Sequence, residues 1–200
     1  MAKTNQQIIK EALLSTKRDG MEDLIDYMEQ IGFFTAPCSG AYHLCKEGGL
    51  VEHTVNVITY AEKLANTLLG KKNISEEFHN AIIISAALHD LGKAGQFGKP
   101  NYVPNMIKSK KKNPETGDYD LVQSTAKPFE TNKELLPVDH EIRSITMASM
   151  FIDLTEDEQY AILYHNGLYG NLKYVISGHE TPLYMIVHWA DMWASYVIEI

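Results

Sequence analysis

Between Leu50 and Leu69, apolar residues return at Val51, Val55, Ile58, Ala61, Leu64, Ala65 and Leu68. That three-and-four spacing predicts a helix with one buried face, and Gly70 supplies its stop. From Ala81 to Leu88 the chain is apolar almost all round, which predicts a helix buried centrally, capped upstream by Ser75. Thr4 with Gln7 reads as a capping box opening a first helix to about Lys17. A second helix is expected from Met21 to Ile31, ending at Gly32, followed by an ordered loop over 33–49. Later helices are predicted from Asp139 to about Ile152 and from the Thr155–Glu158 box to about Tyr164. A last helix opens at Thr181-Pro182 and runs through Leu183, Ile186, Val187, Ala190, Trp193, Ala194 and Val197.

The helical period fails between Gly92 and about Pro137, where five of the seven prolines lie. Lys99 to Lys112 holds five lysines and no acid. The expectation is a single all-α domain spanning residues 1–200, with a long irregular insertion around 94–137. A short hairpin turning at Glu115-Thr116-Gly117-Asp118 is the one element suggested inside it. No repeat or linker divides the chain.

Composition narrows the class. Hydrophobic residues are 44% and charged residues 22% of 200, a globular balance that excludes wholesale disorder. A net charge of −8 disfavours a long nucleic acid as partner. No stretch approaches the ~20 apolar residues of a membrane span, and the N-terminus lacks a signal-like apolar run. A cytoplasmic protein with no membrane partner is expected. Cys38 and Cys45 fit no zinc spacing; one disulfide is conceivable, and reduced thiols are the better expectation.

Chemistry concentrates at His89-Asp90-Leu91-Gly92-Lys93, at the end of the apolar helix. A carboxylate buried there needs a strong partner. Gly92 suits a helix stop, and an Asp90–Lys93 ion pair with a core histidine is the plain explanation. His53, three residues from Leu50 and four from Val57, also faces the core, and Asp191 is an acid among apolar neighbours. Each has its own plain explanation, a bonded core histidine or an exposed acid. Together they offer two imidazoles and two carboxylates, a set suited to Mn, Fe, Co, Ni or Mg more than to sulfur-bound zinc.

These residues carry a family resemblance. A histidine, an adjacent His-Asp pair and a distant aspartate, in GGLVEHTVNV, ISAALHDLGK and LYMIVHWADMWAS, resemble the HD superfamily of metal-dependent phosphohydrolases. The resemblance covers about 43–195 and leaves the first two helices (1–32) outside. It implies that His53, His89, Asp90 and Asp191 hold a divalent metal. In members with paired metals two further histidines hold a second ion, and His140 and His165 match them. Otherwise His140 pairs only with Asp139 and Glu141, and His165 caps a helix dipole.

Paired ions bring four positive charges against two from Asp90 and Asp191, an excess that attracts phosphate and acidifies a water. Asp90 is the expected bridging carboxylate. Lys93 resembles the lysine of the HDxGK motif and would neutralise phosphoryl charge, against its alternative as a surface lysine. Arg143 is a candidate to grip a second phosphate, or else a surface partner of Glu141 or Asp139. His43 is a candidate for the pocket mouth, His188 shares a face with Asp191, and His79 and His179 read as surface residues. Lys108, Lys110, Lys111 and Lys112 could meet a polyphosphate or oligonucleotide, though a solvated loop explains them as well.

The expected activity is metal-dependent hydrolysis of a phosphate ester of a nucleotide, a nucleoside mono- or triphosphate. The alternatives are a phosphodiesterase on a cyclic dinucleotide or short oligonucleotide, a silent nucleotide-binding HD module, and a closed structural metal site. The substrate's base and sugar stay open, as does a homo-oligomer.

Overall fold

The computed structural model describes residues 2–170 and 173–199. The helices are α1 (Asn5–Ser15), α2 (Met21–Gln30), α3 (Gly49–Ala65), α4 (Glu76–Leu88), α5 (His140–Ala148), α6 (Glu156–Tyr164), α7 (Lys173–Ile176) and α8 (Pro182–Trp193). Their starts follow local chemistry. The Thr4 and Thr155 hydroxyls accept from the Gln7 and Glu158 amides, while the Gln7 and Glu158 side chains return the bond to the cap amides. Ser75 and Thr181 cap α4 and α8 in the same manner. Asp139 stands at the N-cap of α5 but its side chain makes no capping bond. Both α3 and α8 run on into a wider π turn, Asn66–Gly70 and Ala194–Ile198.

Helix α4 is the axis. It packs against α1, α3, α5, α6 and α8, which is why its run from Ala81 to Leu88 has no polar face. Leu50, Val57 and Ala61 of α3, Ile82, Ile84 and Leu88 of α4, and Val187 and Ala190 of α8 are all fully buried. Each large aliphatic side chain so buried contributes about 1.5–3 kcal/mol. Arg18 forks onto the buried Glu158 carboxylate at 2.7 and 3.1 Å, tying the segment after α1 to α6.

The insertion is not irregular, and the domain is mostly helical rather than strictly all-α. Three two-stranded antiparallel sheets fill it: β1 (Gly95–Gln96) with β2 (Lys99–Pro100), β3 (Tyr102–Pro104) with β6 (Phe129–Thr131), and β4 (Met106–Lys112) with β5 (Tyr119–Gln123). The β4–β5 hairpin turns through 113–118, with Gly117 at φ +74 donating to the Asn113 carbonyl. This is the hairpin expected from its turn residues; no period marks its strands, and the reason is exposure. Every residue of β5, and all of β4 but Ser109, face solvent, so no apolar alternation marks a buried side.

Cys38 and Cys45 are both free thiols. Among the described residues no helix is long and apolar enough to cross a membrane.

Candidate metal centre

Five elements converge on one carboxylate. His53 stands on the second turn of α3, and His89 follows the last residue of α4. Asp90 leaves the helix at φ −108 and ψ 12, followed by a tight turn over Leu91–Ala94. His140 opens α5, His165 follows α6, and Asp191 lies near the end of α8. Ser144 of α5 locks the Asp90 turn in place. Its hydroxyl donates to the His89 carbonyl at 3.0 Å and accepts from the Gly92 amide at 2.8 Å.

The four imidazoles present the same face to Asp90. In each, Nδ1 is taken by an acceptor: Glu199 at 3.0 Å for His53, the Ala86 carbonyl at 2.9 Å for His89, Glu141 at 3.2 Å for His140, and the Ile162 carbonyl at 2.8 Å for His165. A carbonyl can only accept, so Nδ1 of His89 and His165 carries a hydrogen, and each ring in its neutral form presents the Nε2 lone pair. Those Nε2 atoms face Asp90 from two sides. His53 and His89 lie 3.5 and 3.4 Å from Oδ2; His140 and His165 lie 3.1 and 3.5 Å from Oδ1. Asp191 adds Oδ1 at 3.3 Å from His53 Nε2.

This donor set fits metal. Asp90 is 1% exposed, and its Oδ1 has no hydrogen-bond partner, a costly state unless a cation satisfies it. The Nε2 atoms of His53 and His89 are 3.2 Å apart, and those of His140 and His165 are 3.4 Å apart. Ligands at about 2.1 Å from one ion are separated by about 3.0–3.4 Å. His53, His89 and Asp90 form one group able to hold an ion; Asp90, His140 and His165 form another; and Asp191 joins His89 and His165 in a third.

The electrostatics follow from the crowding. Burial opposes ionisation of Asp90, but Lys93 and His89, with His140 and His165, hold its carboxyl well below the usual range. Burial likewise opposes Asp191, and His53 overcomes it. The Lys93 ammonium sits 2.7 Å from Asp90 Oδ2 with its side chain 17% exposed, so it is a partner of the cage and not a surface lysine. Burial is the largest single influence on Lys93 and pushes its pKa down, but Asp90 and Asp191, with other neighbours, together outweigh it, and the ammonium is held firmly charged.

The other candidates fall into place around this centre. His43 lies 3.3 Å from Cys38 Sγ and 3.7 Å from Glu199, and lines a small cavity with Lys93 and Asp191. Cys38, His43 and His53 form one more possible ligand group. Burial pushes the Cys38 thiol up to about 11, leaving a protonated, poor ligand near neutral pH. Arg143 is neither a surface residue nor paired with Glu141 or Asp139. It is buried, donating to Gln96 Oε1 at 2.9 Å and to the Leu136 carbonyl at 2.6 Å, so its charge is spent joining α5 to the insertion. His188 supports the cage from behind, donating Nδ1–H to the His165 carbonyl at 2.6 Å. His179 is exposed, and His79 pairs with Glu62 at 2.9 Å.

Glu199 is the residue that sequence reasoning misses. Its carboxylate, 1% exposed, holds His53 and also accepts from Asn56 at 2.9 Å. The only hint in the chain is an acid eight residues beyond Asp191, too weak to single out.

A family model, the HD domain, matches residues 50–191. With 142 of 200 residues inside the match, the chain belongs to the HD domain family, whose members are metal-dependent phosphohydrolases. The matched span contains His53, His89, Asp90, His140, His165 and Asp191, and leaves out His43 and Glu199. No curated protein and no solved structure matches the chain.

Proposed function

We propose that the protein hydrolyses a phosphate ester of a nucleotide, with two divalent ions as cofactors and a small-molecule substrate rather than a long nucleic acid. One observation supports it above the rest: both oxygens of Asp90 are shared between two pairs of imidazole lone pairs, and one of them has no hydrogen bond. In this reading His53, His89, Asp90 and Asp191 hold one ion, and Asp90, His140 and His165 hold the other. Such ions supply Lewis acidity, drawing in phosphate oxygens and acidifying water.

The remaining work belongs to the protein. Glu199 and Glu141 fix the rings of His53 and His140 through Nδ1, so that Nε2 is kept for the cage. Lys93 keeps Asp90 ionised and lines the small cavity beside Asp191, where its ammonium meets charge growing on a phosphoryl group. That cavity also argues against a closed structural site, since the cage has room for a ligand.

The test pairs metal analysis with a turnover screen of the Mn-loaded protein against nucleotides, cyclic dinucleotides and short oligonucleotides. Close to two ions per chain and hydrolysis of a nucleotide are expected, both lost in Asp90→Asn with little loss of helix. Metal binding with no turnover of any of them makes the chain a silent binding module. Full activity in Asp90→Asn removes that residue from the centre.

A further inference from the structure

Two cavities open beside the cage, and they differ in size and charge. The smaller, about 110 Å³, lies between Lys93, His43, Asp191 and Ser195. The larger, about 260 Å³, lies on the His140 side, with Ile142, Leu163 and Ile176 as apolar wall and Asp139 and Glu141 as acids. Asn166 and Tyr169 line both, so the two meet at a shared edge. Gly167 makes this edge possible. It sits at φ +53, and a Cβ there would run into the His188 ring that holds His165.

Among the described residues, Lys93 is the only lysine or arginine lining either cavity. A phosphate is therefore drawn to the smaller cavity, while Asp139 and Glu141, with no lysine or arginine beside them among the described lining residues, disfavour further phosphates in the larger one. Its volume lies just under the roughly 300 Å³ at which ordinary ligand pockets begin, enough for one compact group. Tyr164 and Tyr169 offer ring faces, and the Asp139 carboxylate offers hydrogen-bond acceptors for hydroxyls.

We infer that the larger cavity takes the alcohol side of a phosphomonoester, an uncharged hydroxylated group no bigger than one nucleoside, and that Asp139 shuts out polyphosphates. The inference rests on the phosphohydrolase reading above and narrows it: nucleoside triphosphates and cyclic dinucleotides are poor substrates. A nucleoside and a sugar share the required chemistry, and the assay separates them.

The Mn-loaded protein is assayed with phenyl phosphate, adenosine 5′-monophosphate, glucose 6-phosphate and ATP. One of the two hydroxylated monophosphates is expected to exceed ATP at least tenfold in kcat/KM, and Asp139→Lys to narrow that gap. Ile142 is 46% exposed, so Ile142→Trp should fold while filling the cavity. It is expected to raise KM for the favoured monophosphate about tenfold, or about 1.4 kcal/mol, with a smaller change in kcat. A second readout needs no turnover. Calorimetry with EDTA present should show the matching phosphate-free alcohol, adenosine or glucose, binding to the parent protein and not to Ile142→Trp.

ATP turned over as well as the monophosphates, with no response to Asp139→Lys, overturns the inference. So does an Ile142→Trp variant with KM and alcohol binding unchanged. Turnover of phenyl phosphate alone also overturns it but leaves the phosphohydrolase reading standing. No turnover of any phosphate ester removes that reading and the inference with it.

Discussion

Glu199 grips His53 from the far end of the chain, its Oε2 3.0 Å from the ring Nδ1 across 146 residues of sequence. A carboxylate behind a ligand histidine fixes the ring and makes Nε2 a better donor, and losing such a partner typically costs 10–100-fold in metal affinity. Glu199→Gln keeps the size and one acceptor oxygen but removes the charge. Metal titration should show Mn affinity about 10–100-fold weaker, with activity restored by excess Mn and far-ultraviolet dichroism unchanged. Unaltered affinity would reduce Glu199 to a packing role.

Gly92 touches α5 at the point where His140 begins. A Cβ there would fall on the His140 carbonyl oxygen and come within 2.8 Å of Arg143 Cβ. Backbone atoms cannot swing aside as a side-chain tip can, so Gly92→Ala must push α5 away from the Asp90 turn. Overpacking of this sort costs about 1–3 kcal/mol. The melting temperature should fall by about 2–4 °C for each kcal/mol lost. Because His140 is carried on the displaced segment, metal analysis should also find the second ion depleted before the first.

Gly92 shows how far the sequence can be read. As a helix stop it is predictable, but its φ is not in the left-handed region, and what it needs is close approach to α5. His53, His89, Asp90 and Asp191 are legible because each is a polar group set among apolar helix positions, where burial demands a partner. Their convergence is not written in any spacing; it follows from packing of α3, α4, α5, α6 and α8 around one point. Arg143 misleads because a lone arginine near two acids looks like a surface pair, and its true partners, Gln96 and the Leu136 carbonyl, lie in the segment with no period. Glu199 stays hidden because its partners, His53 and Asn56, lie in a distant helix.

The two cysteines should separate chemically. Cys38 is fully buried and its thiol is pushed up to about 11, while Cys45 is partly exposed. Only the thiolate attacks an alkylating reagent, so iodoacetamide at pH 8 should label Cys45 in the native protein and spare Cys38. Mass spectrometry of the digested protein reads both sites. Equal labelling at pH 8 would show that the loop holding Cys38 opens, and that His43 is not fixed beside it.

Stability of the metal-free protein should peak near pH 6.5. His43 and His89 are lowered, burial being the main cause in each. As the pH falls below the ordinary histidine value of about 6.5, the unfolded chain takes up protons that these two rings refuse, and stability drops. Burial works against protons on His53 and His165 too, but there it loses. Asp191 and Glu199 hold His53 well above its usual value (the neutral Cys38 thiol contributes little near pH 7), and Asp90 and Asp191 raise His165. Their contribution is complete below about pH 6.5 and is lost as the pH climbs through their raised values. Asp90, Asp191 and Glu199 are all lowered, so what they add is present throughout and fades only in acid, below the ordinary carboxylate range. Each unmatched proton is worth about 1.4 kcal/mol per pH unit, enough to bend a melting curve visibly. Bound divalent ions compete with the protons on Nε2, so saturating Mn should move the maximum toward alkaline pH. Melting temperatures from pH 5.5 to 8.5, with EDTA and with Mn, check both statements. A metal-free curve rising steadily to pH 8.5 would mean that His53 and His165 do not hold protons between the carboxylates.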